Sequence, residues 1–396
     1  MMTQPAPSIA IACGGTGGHL FPGLAVAEQL VSRGCSVMLL ISPKEVDQQA
    51  VKMAAGMEIV TLPAVGLSRG RGIAFLRGFV QSYRAARKHF KIRPPQAALA
   101  MGGFTGAPPI LAAKKLGART FLHESNTIPG RANHWLAYAV DQVFVGFPQA
   151  AVRLHNRNAL LTGTPVRRQF QPRDAYTCRV ALGLHPAHPV LLVMGGSQGA
   201  SAINELVTQA LPLLAKRAPE LQLLHLAGPI DAEKVREIYG ALKVKAVVHS
   251  FCAEMELALG AATVAISRAG ASSLAELAAM RVPALLVPYP AATDNHQFHN
   301  ARPFEETGAA RLLEQKGATP ETLALWVLEL VQNTAARETM QAALAQWHAP
   351  KAAEQIAEEL LRNAHINVGA AECKFEIRRQ RGAHTGTLER QNVSAA

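Results

Sequence analysis

Acidic residues are scarce in this chain, and aspartate most of all: five in 396 residues, at 47, 141, 174, 231 and 294. No D-x-D occurs and no carboxylates cluster, so chemistry that relies on a divalent metal held by paired acids is not expected. His296 and His299 have i,i+3 spacing but no third ligand in view, and no metal site is expected there either. Five cysteines lie scattered, none in C-x-x-C, which points to buried reduced thiols and a cytosolic setting. No apolar run reaches the roughly 18 to 20 residues of a membrane span. The start, "MMTQPAPSIAIAC", has neither a basic n-region nor a cleavage site, so no signal peptide is expected.

The acid-poor stretch is not evenly spread. Between Glu58 and Glu124 there is no acid, while eleven lysines and arginines occur, among them Arg69, Arg71, Arg77, Arg84 and Arg87. Apolar residues interleave with them, notably Phe75, Leu76 and Phe79. Such a segment suits nucleic acid or an anionic membrane, or it is the solvated face of a basic protein. The large side chains beside the charges favour a helix lying at a membrane interface.

Short apolar strands alternate with helical stretches: "SIAIAC", "CSVMLLIS", "AALAMGG", "TFLHES" and "DQVFVGF", then again "PVLLVMGG", "LQLLHLAG", "AVVHSF", "TVAISRAG" and "PALLVPY". That order predicts α/β architecture with two doubly wound Rossmann-like domains facing a cleft. The expected bounds are 1–166 and 167–345, with a last helix at about 346–364 returning to the first domain and a disordered tail over 366–396.

Glycine gathers at four strand ends: "GGTGGH" (14–19), "MGGFTGAP" (101–108), "GGSQGA" (195–200) and "SRAGASS" (267–273). The first is neither a dinucleotide fingerprint, since Leu20 stands where a glycine is required, nor a P-loop, since no Gly-Lys-Ser/Thr follows. Four such loops at the carboxyl ends of strands point to two phosphate-bearing ligands, bound by backbone N–H groups. Ser273-Leu-Ala-Glu276 has the pattern of a capping box, Glu124 in "HESN" that of a carboxylate tying a loop, and Arg167 that of a linker charge.

Seven motifs, "GGTGGHLFPGLAVAEQL", "MGGFTGAPPILAAKKLG", "HESN", "TPVR", "GGSQGASAIN", "SRAGASSLAELAAMRVPALLVPYP" and "DNHQFHNA", stand in an order and spacing that resembles the MurG family. These are the bacterial undecaprenyl-diphospho-muramoylpentapeptide β-N-acetylglucosaminyltransferases of glycosyltransferase family 28, with the GT-B fold. The resemblance runs from about residue 8 to 362. It departs in "HESN" for the usual HEQN, "TPVR" for NPVR, and Ala269 where serine is common.

The resemblance implies an inverting transfer of N-acetylglucosamine from UDP-N-acetylglucosamine to the 4-hydroxyl of the muramoyl sugar of lipid I, without a cofactor. Its implied donor contacts are Thr16, Gly17, Gly18, Asn126, Arg167, Ser197, Cys252, the run Ala271, Ser272, Ser273, Leu274, Ala275 and Glu276, and Gln297. The acceptor pyrophosphate would meet Gly14, Gly15, Gly103 and Thr105. His19 and Glu124 are the candidate catalytic residues, His19 first. Implied partners are an anionic membrane surface and proteins of cell-wall synthesis and division, with no nucleic acid, and the implied place is peripheral, on the cytoplasmic face of the inner membrane. The alternatives are another GT-B lipid glycosyltransferase, a UDP-sugar epimerase, and a UDP-sugar-binding protein without turnover.

Overall fold

The computed structural model describes residues 6–44, 47–48, 54, 56–63, 72–196 and 199–366. Its strands are β1 (Ser8–Ala12), β2 (Ser36–Ile41), β3 (Glu58–Thr61), β4 (Ala97–Ala100), β5 (Arg119–Glu124), β6 (Gln142–Val145), β7 (Ala159–Leu161), β8 (Val190–Met194), β9 (Gln222–Leu226), β10 (Ala246–His249), β11 (Val264–Ser267), β12 (Ala284–Leu286) and β13 (Arg311–Leu312). They form two sheets, seven strands in the order β3-β2-β1-β4-β5-β6-β7 and six in the order β10-β9-β8-β11-β12-β13. Every pairing is parallel. This is the doubly wound architecture that the alternation predicts.

The central strands are apolar from end to end because helices cover both faces of each sheet. Ile9, Ile11, Leu39 and Leu99 are fully buried in one half, and Leu191, Leu192, Val193 and Ile266 in the other. In each sheet the winding reverses beside its first strand, between β1 and β4 and between β8 and β11. Chain ends diverge at those points and open a crevice at the carboxyl ends of the strands.

The halves are joined more than once. The Ala352–Asn363 helix packs on the Gly17–Ser32 helix, burying Ile356, Ala357 and Leu360 completely within the core cluster that holds Ile9, Leu20 and Leu24. Burial of each large aliphatic side chain contributes about 1.5–3 kcal/mol, so this return is a structural part of the first half. Near the crossing, Trp347 stacks on Phe304 at 4.5 Å between ring centres and meets Phe147 of the first half at 5.9 Å.

Candidate active site

Between the two crevices lies a cavity of about 1120 Å³. The loop that opens the first half, Gly14 to His19, forms part of its wall. Gly14 sits against the end of β2, where a Cβ would come within 2.3 Å of the Ser42 amide nitrogen, so no side chain fits. The Gly15 N–H donates to Asp47 Oδ2 at 2.7 Å, which also accepts from the Ser42 amide and hydroxyl at 3.0 and 2.5 Å. Lys44 Nζ donates to the Gly15 carbonyl at 2.8 Å, and Thr105 Oγ1 donates to the Gly14 carbonyl at 2.6 Å. The Gly103 N–H donates to Asn133 Oδ1 at 3.1 Å. Of the four residues expected to meet an acceptor pyrophosphate, Gly15, Gly103 and Thr105 therefore have these donors engaged within the protein, Gly14 takes part through its carbonyl, and together they frame the site. The N–H groups of Gly17 and Gly18, in the first turn of the Gly17–Ser32 helix, have no acceptor among the described residues. A helix start of this kind favours an anion.

His19 follows directly. Its ring lies on the Gly102–Gly103 backbone, where both residues have positive φ (111° and 76°) and a Cβ on either would come within 3.0 Å of the ring. Nδ1 lies 3.3 Å from Thr16 Oγ1. Burial pushes its pKa down to about 4, against the pull of the Asp47 carboxylate, so the imidazole is neutral at pH 7.

Glu124, at the end of β5, is buried, and its two oxygens accept from Asn126 N and Nδ2 (2.8 and 3.1 Å), Gly130 N (3.0 Å) and Asn133 Nδ2 (2.7 Å). With four donors directed at it, this carboxylate holds the 125–133 loop. This is the loop-tying part that the "HESN" pattern also suggests.

On the opposite wall the Ala271–Met280 helix points its N-terminus at the cavity. Its N-cap is Gly270, without a side-chain cap. The helix thus starts before Ser273, and the capping box expected from Ser273 and Glu276 is not formed. Ala271, Ser272, Ser273 and Glu276 line the cavity. Leu274 and Ala275, expected beside them, turn away: Leu274 is in the core of the second half, and Ala275 faces a small void beside Phe147 and Trp347. Glu276 makes no hydrogen bond among the described residues. Burial raises its pKa to about 7, with Arg167 opposing and Glu256 reinforcing the shift.

The Arg167 guanidinium is buried between the rings of Phe21, 4.8 Å away, and Phe170, 5.1 Å away. Cys252 and Gln297 also line the cavity, and Gln297 Oε1 accepts from the Tyr289 amide at 2.9 Å. Asn126 is tied across the cleft, since its Oδ1 accepts from Asn300 Nδ2 at 3.0 Å. Asn300, fully buried, also accepts from the Thr127 amide at 2.9 Å. Asp47, Asn133 and Asn300 were not legible as site residues, because the bonds that bring them into the site, to Gly15, Gly103 and Asn126, reach residues of other segments. Ser197, Arg69, Arg71 and the tail from 367 lie outside the described residues.

The basic segment forms the Gly72–Ile92 helix. Arg77, Arg84 and Arg87 are exposed on it, as is Leu76. Phe75 differs from expectation: it lines the mouth of the cavity, with Phe79 half-buried against it at 6.3 Å between ring centres. Towards the start of the helix the outward apolar residues are Ile73, Leu76 and Val80, with Trp135, 76 % exposed, on the cavity lining. Among the described residues no helix is long and apolar enough to cross a membrane.

Residues 9–145 match the glycosyltransferase family 28 N-terminal domain, and residues 190–356 the family's C-terminal domain. A UDP-N-acetylglucosamine–N-acetylmuramyl-(pentapeptide) pyrophosphoryl-undecaprenol N-acetylglucosamine transferase from Methylococcus capsulatus is 37 % identical over 368 residues, covering 91 % of this chain and 99 % of that protein. The crystal structure of Acinetobacter baumannii MurG superposes with a TM-score of 0.69 at 29 % identity, over 90 % of this chain and all of that one. A Listeria monocytogenes protein described as a putative UDP-N-acetylglucosamine 2-epimerase shares the fold, with a TM-score of 0.66 over 92 % of this chain and 98 % of that one, at 15 % sequence identity.

Proposed function

The chain belongs to glycosyltransferase family 28, and from that premise we propose that it transfers N-acetylglucosamine from UDP-N-acetylglucosamine to the 4-hydroxyl of the muramoyl sugar of lipid I, giving lipid II for peptidoglycan synthesis. The observation that carries the reading is the meeting of two helix N-termini, from the two halves, across one cavity that also holds a neutral histidine. An inverting displacement needs these parts. The acceptor oxygen attacks the anomeric carbon from the face opposite UDP, its proton passes to the His19 imidazole, and UDP leaves with the bonding electrons. The N–H groups of Gly17 and Gly18, which the resemblance gives to the donor, take the acceptor pyrophosphate in this reading, and its dianion raises the pKa of His19 towards the working pH, where a general base is most effective. The charge on departing UDP is met by the start of the Ala271–Met280 helix and by Arg167.

The ionised Glu276 carboxylate accepts from the ribose hydroxyls, and Cys252 lies where the uracil edge is read, largely by main chain. Ile73, Leu76 and Val80 enter the headgroup region of the cytoplasmic face while Arg77, Arg84 and Arg87 meet anionic lipid. The enzyme thus docks peripherally, beside the other proteins of wall synthesis and cell division. The test is UDP release from UDP-N-acetylglucosamine. Release that requires a lipid I analogue is expected. Release without any acceptor, or conversion of the donor to an epimer, would overturn the reading.

A further inference from the structure

One proline changes how the two halves meet. Inside the Gly17–Ser32 helix, residue 22 is Pro22. It has no N–H, so the carbonyl four residues earlier, that of Gly18, loses its helical donor, and the proline ring tilts that carbonyl outward. The vacated position is filled from the other half: Ser272 Oγ donates to the Gly18 carbonyl at 2.9 Å. Ser272 is the second residue of the Ala271–Met280 helix, and Gly18 immediately precedes His19. This one bond therefore ties the helix start on the donor side to the residue next to the base. It also holds together two helix ends of like partial charge, which repel until an anion lies between them.

We infer that Ser272 is an interdomain latch, a positioning residue that sets the distance between His19 and the donor, and that Pro22 makes the latch available. The one proton of the Ser272 hydroxyl is committed to the Gly18 carbonyl, so this hydroxyl serves the protein frame and not the donor phosphates. Its importance for catalysis rests on the transferase reading, because base and anomeric carbon come from opposite walls and small displacements between reacting groups are costly.

The test compares wild type with Ser272→Ala, Ser272→Thr, Pro22→Ala and the Ser272→Ala/Pro22→Ala double variant. Loss of one neutral hydrogen bond corresponds to a change of about two- to twelvefold. Ser272→Ala is expected to lower kcat by that factor while the UDP Kd stays within error of wild type, and Ser272→Thr restores the rate. Alanine at position 22 returns an N–H to the Gly18 carbonyl, so Ser272→Ala costs less in that background than in wild type. Small-angle scattering of the ligand-free proteins gives a readout that needs no turnover: Ser272→Ala is more expanded than wild type. If wild type shows no acceptor-dependent UDP release, the transferase reading fails while the scattering still judges the latch. A UDP Kd that weakens in step with kcat would make Ser272 a donor contact, and unchanged scattering, or equal costs in the two backgrounds, would equally overturn the latch.

Discussion

Glu124 and Glu276 face the same cavity from opposite walls, and they are held in opposite ways. Four donors converge on Glu124, and Gly103, Gly15 and Thr105 of the same half are likewise bonded to the protein. Glu276 has no hydrogen-bonding partner among the described residues, and burial holds its pKa near 7. Around Glu124 the first wall is a finished frame that sets the position of His19, and it leaves the N–H groups of Gly17 and Gly18 open to an anion. The second keeps polar capacity unspent, which is the arrangement expected where a ligand completes the bonding. A carboxylate lining a cavity thus reveals its role through what already occupies its lone pairs.

The largest expected effect lies at the point the frame presents. His19→Ala should lower kcat by about 10²–10⁴ with UDP affinity near wild type, measured by steady-state kinetics and calorimetry. A rate within about threefold of wild type would remove His19 as the base. Glu124→Ala should act on the fold: it strands four donors, at a cost of about 3 kcal/mol or more, read as a lower denaturation midpoint. A large loss of kcat at unchanged stability would instead return Glu124 to the chemistry and erase the contrast between the walls.

The contrast extends to the outer surface, where only the first half carries the basic helix. Reversing Arg77, Arg84 and Arg87 to glutamate should remove about 1 kcal/mol of vesicle attraction for each charge lost, before repulsion is added. Flotation with anionic vesicles should fail, while turnover of a soluble short-chain acceptor stays near wild type. Tight binding of DNA or RNA in a gel shift, with no flotation of the wild type, would overturn the membrane docking.

Glu276→Ala should weaken UDP-N-acetylglucosamine binding by about 1.5–3 kcal/mol without lowering stability. The sign follows from the raised pKa: the folded state keeps a proton that the unfolded state gives up, so the carboxyl opposes folding as pH rises from its ordinary value through about 7. The smallest effect is its pH signature. Donor affinity should fall as pH drops through about 7, when protonation removes an acceptor, and Glu276→Gln should flatten that slope in calorimetry.

Much of this was legible in the residues. Continuous apolar runs located the central strands, and glycine at their ends located the cleft. The strands that escaped notice are β3, β7 and β13, all at sheet edges. There one face meets solvent and the apolar run breaks up, as in "EIVT", where only Val60 is buried. In the site, glycine spacing revealed a loop but not its cause, because the Asp47 carboxylate that accepts from Gly15 belongs to the segment after β2. The run 271–276 was read as one binding strip, whereas a helix turns about 100° per residue and sends Leu274 and Ala275 inward.

The Ala352–Asn363 helix sets an order of events during synthesis. All seven strands of the first sheet have been made once residue 161 leaves the ribosome, yet Ile356, Ala357 and Leu360, which close its core, follow about 200 residues later. At roughly 5–20 residues per second, this leaves an apolar groove on the nascent first half uncovered for about 10–40 s. Its final closure waits for translation of the entire second half, so a ribosome stalled anywhere between the two holds a chain whose N-terminal half displays the surface that chaperones recognise.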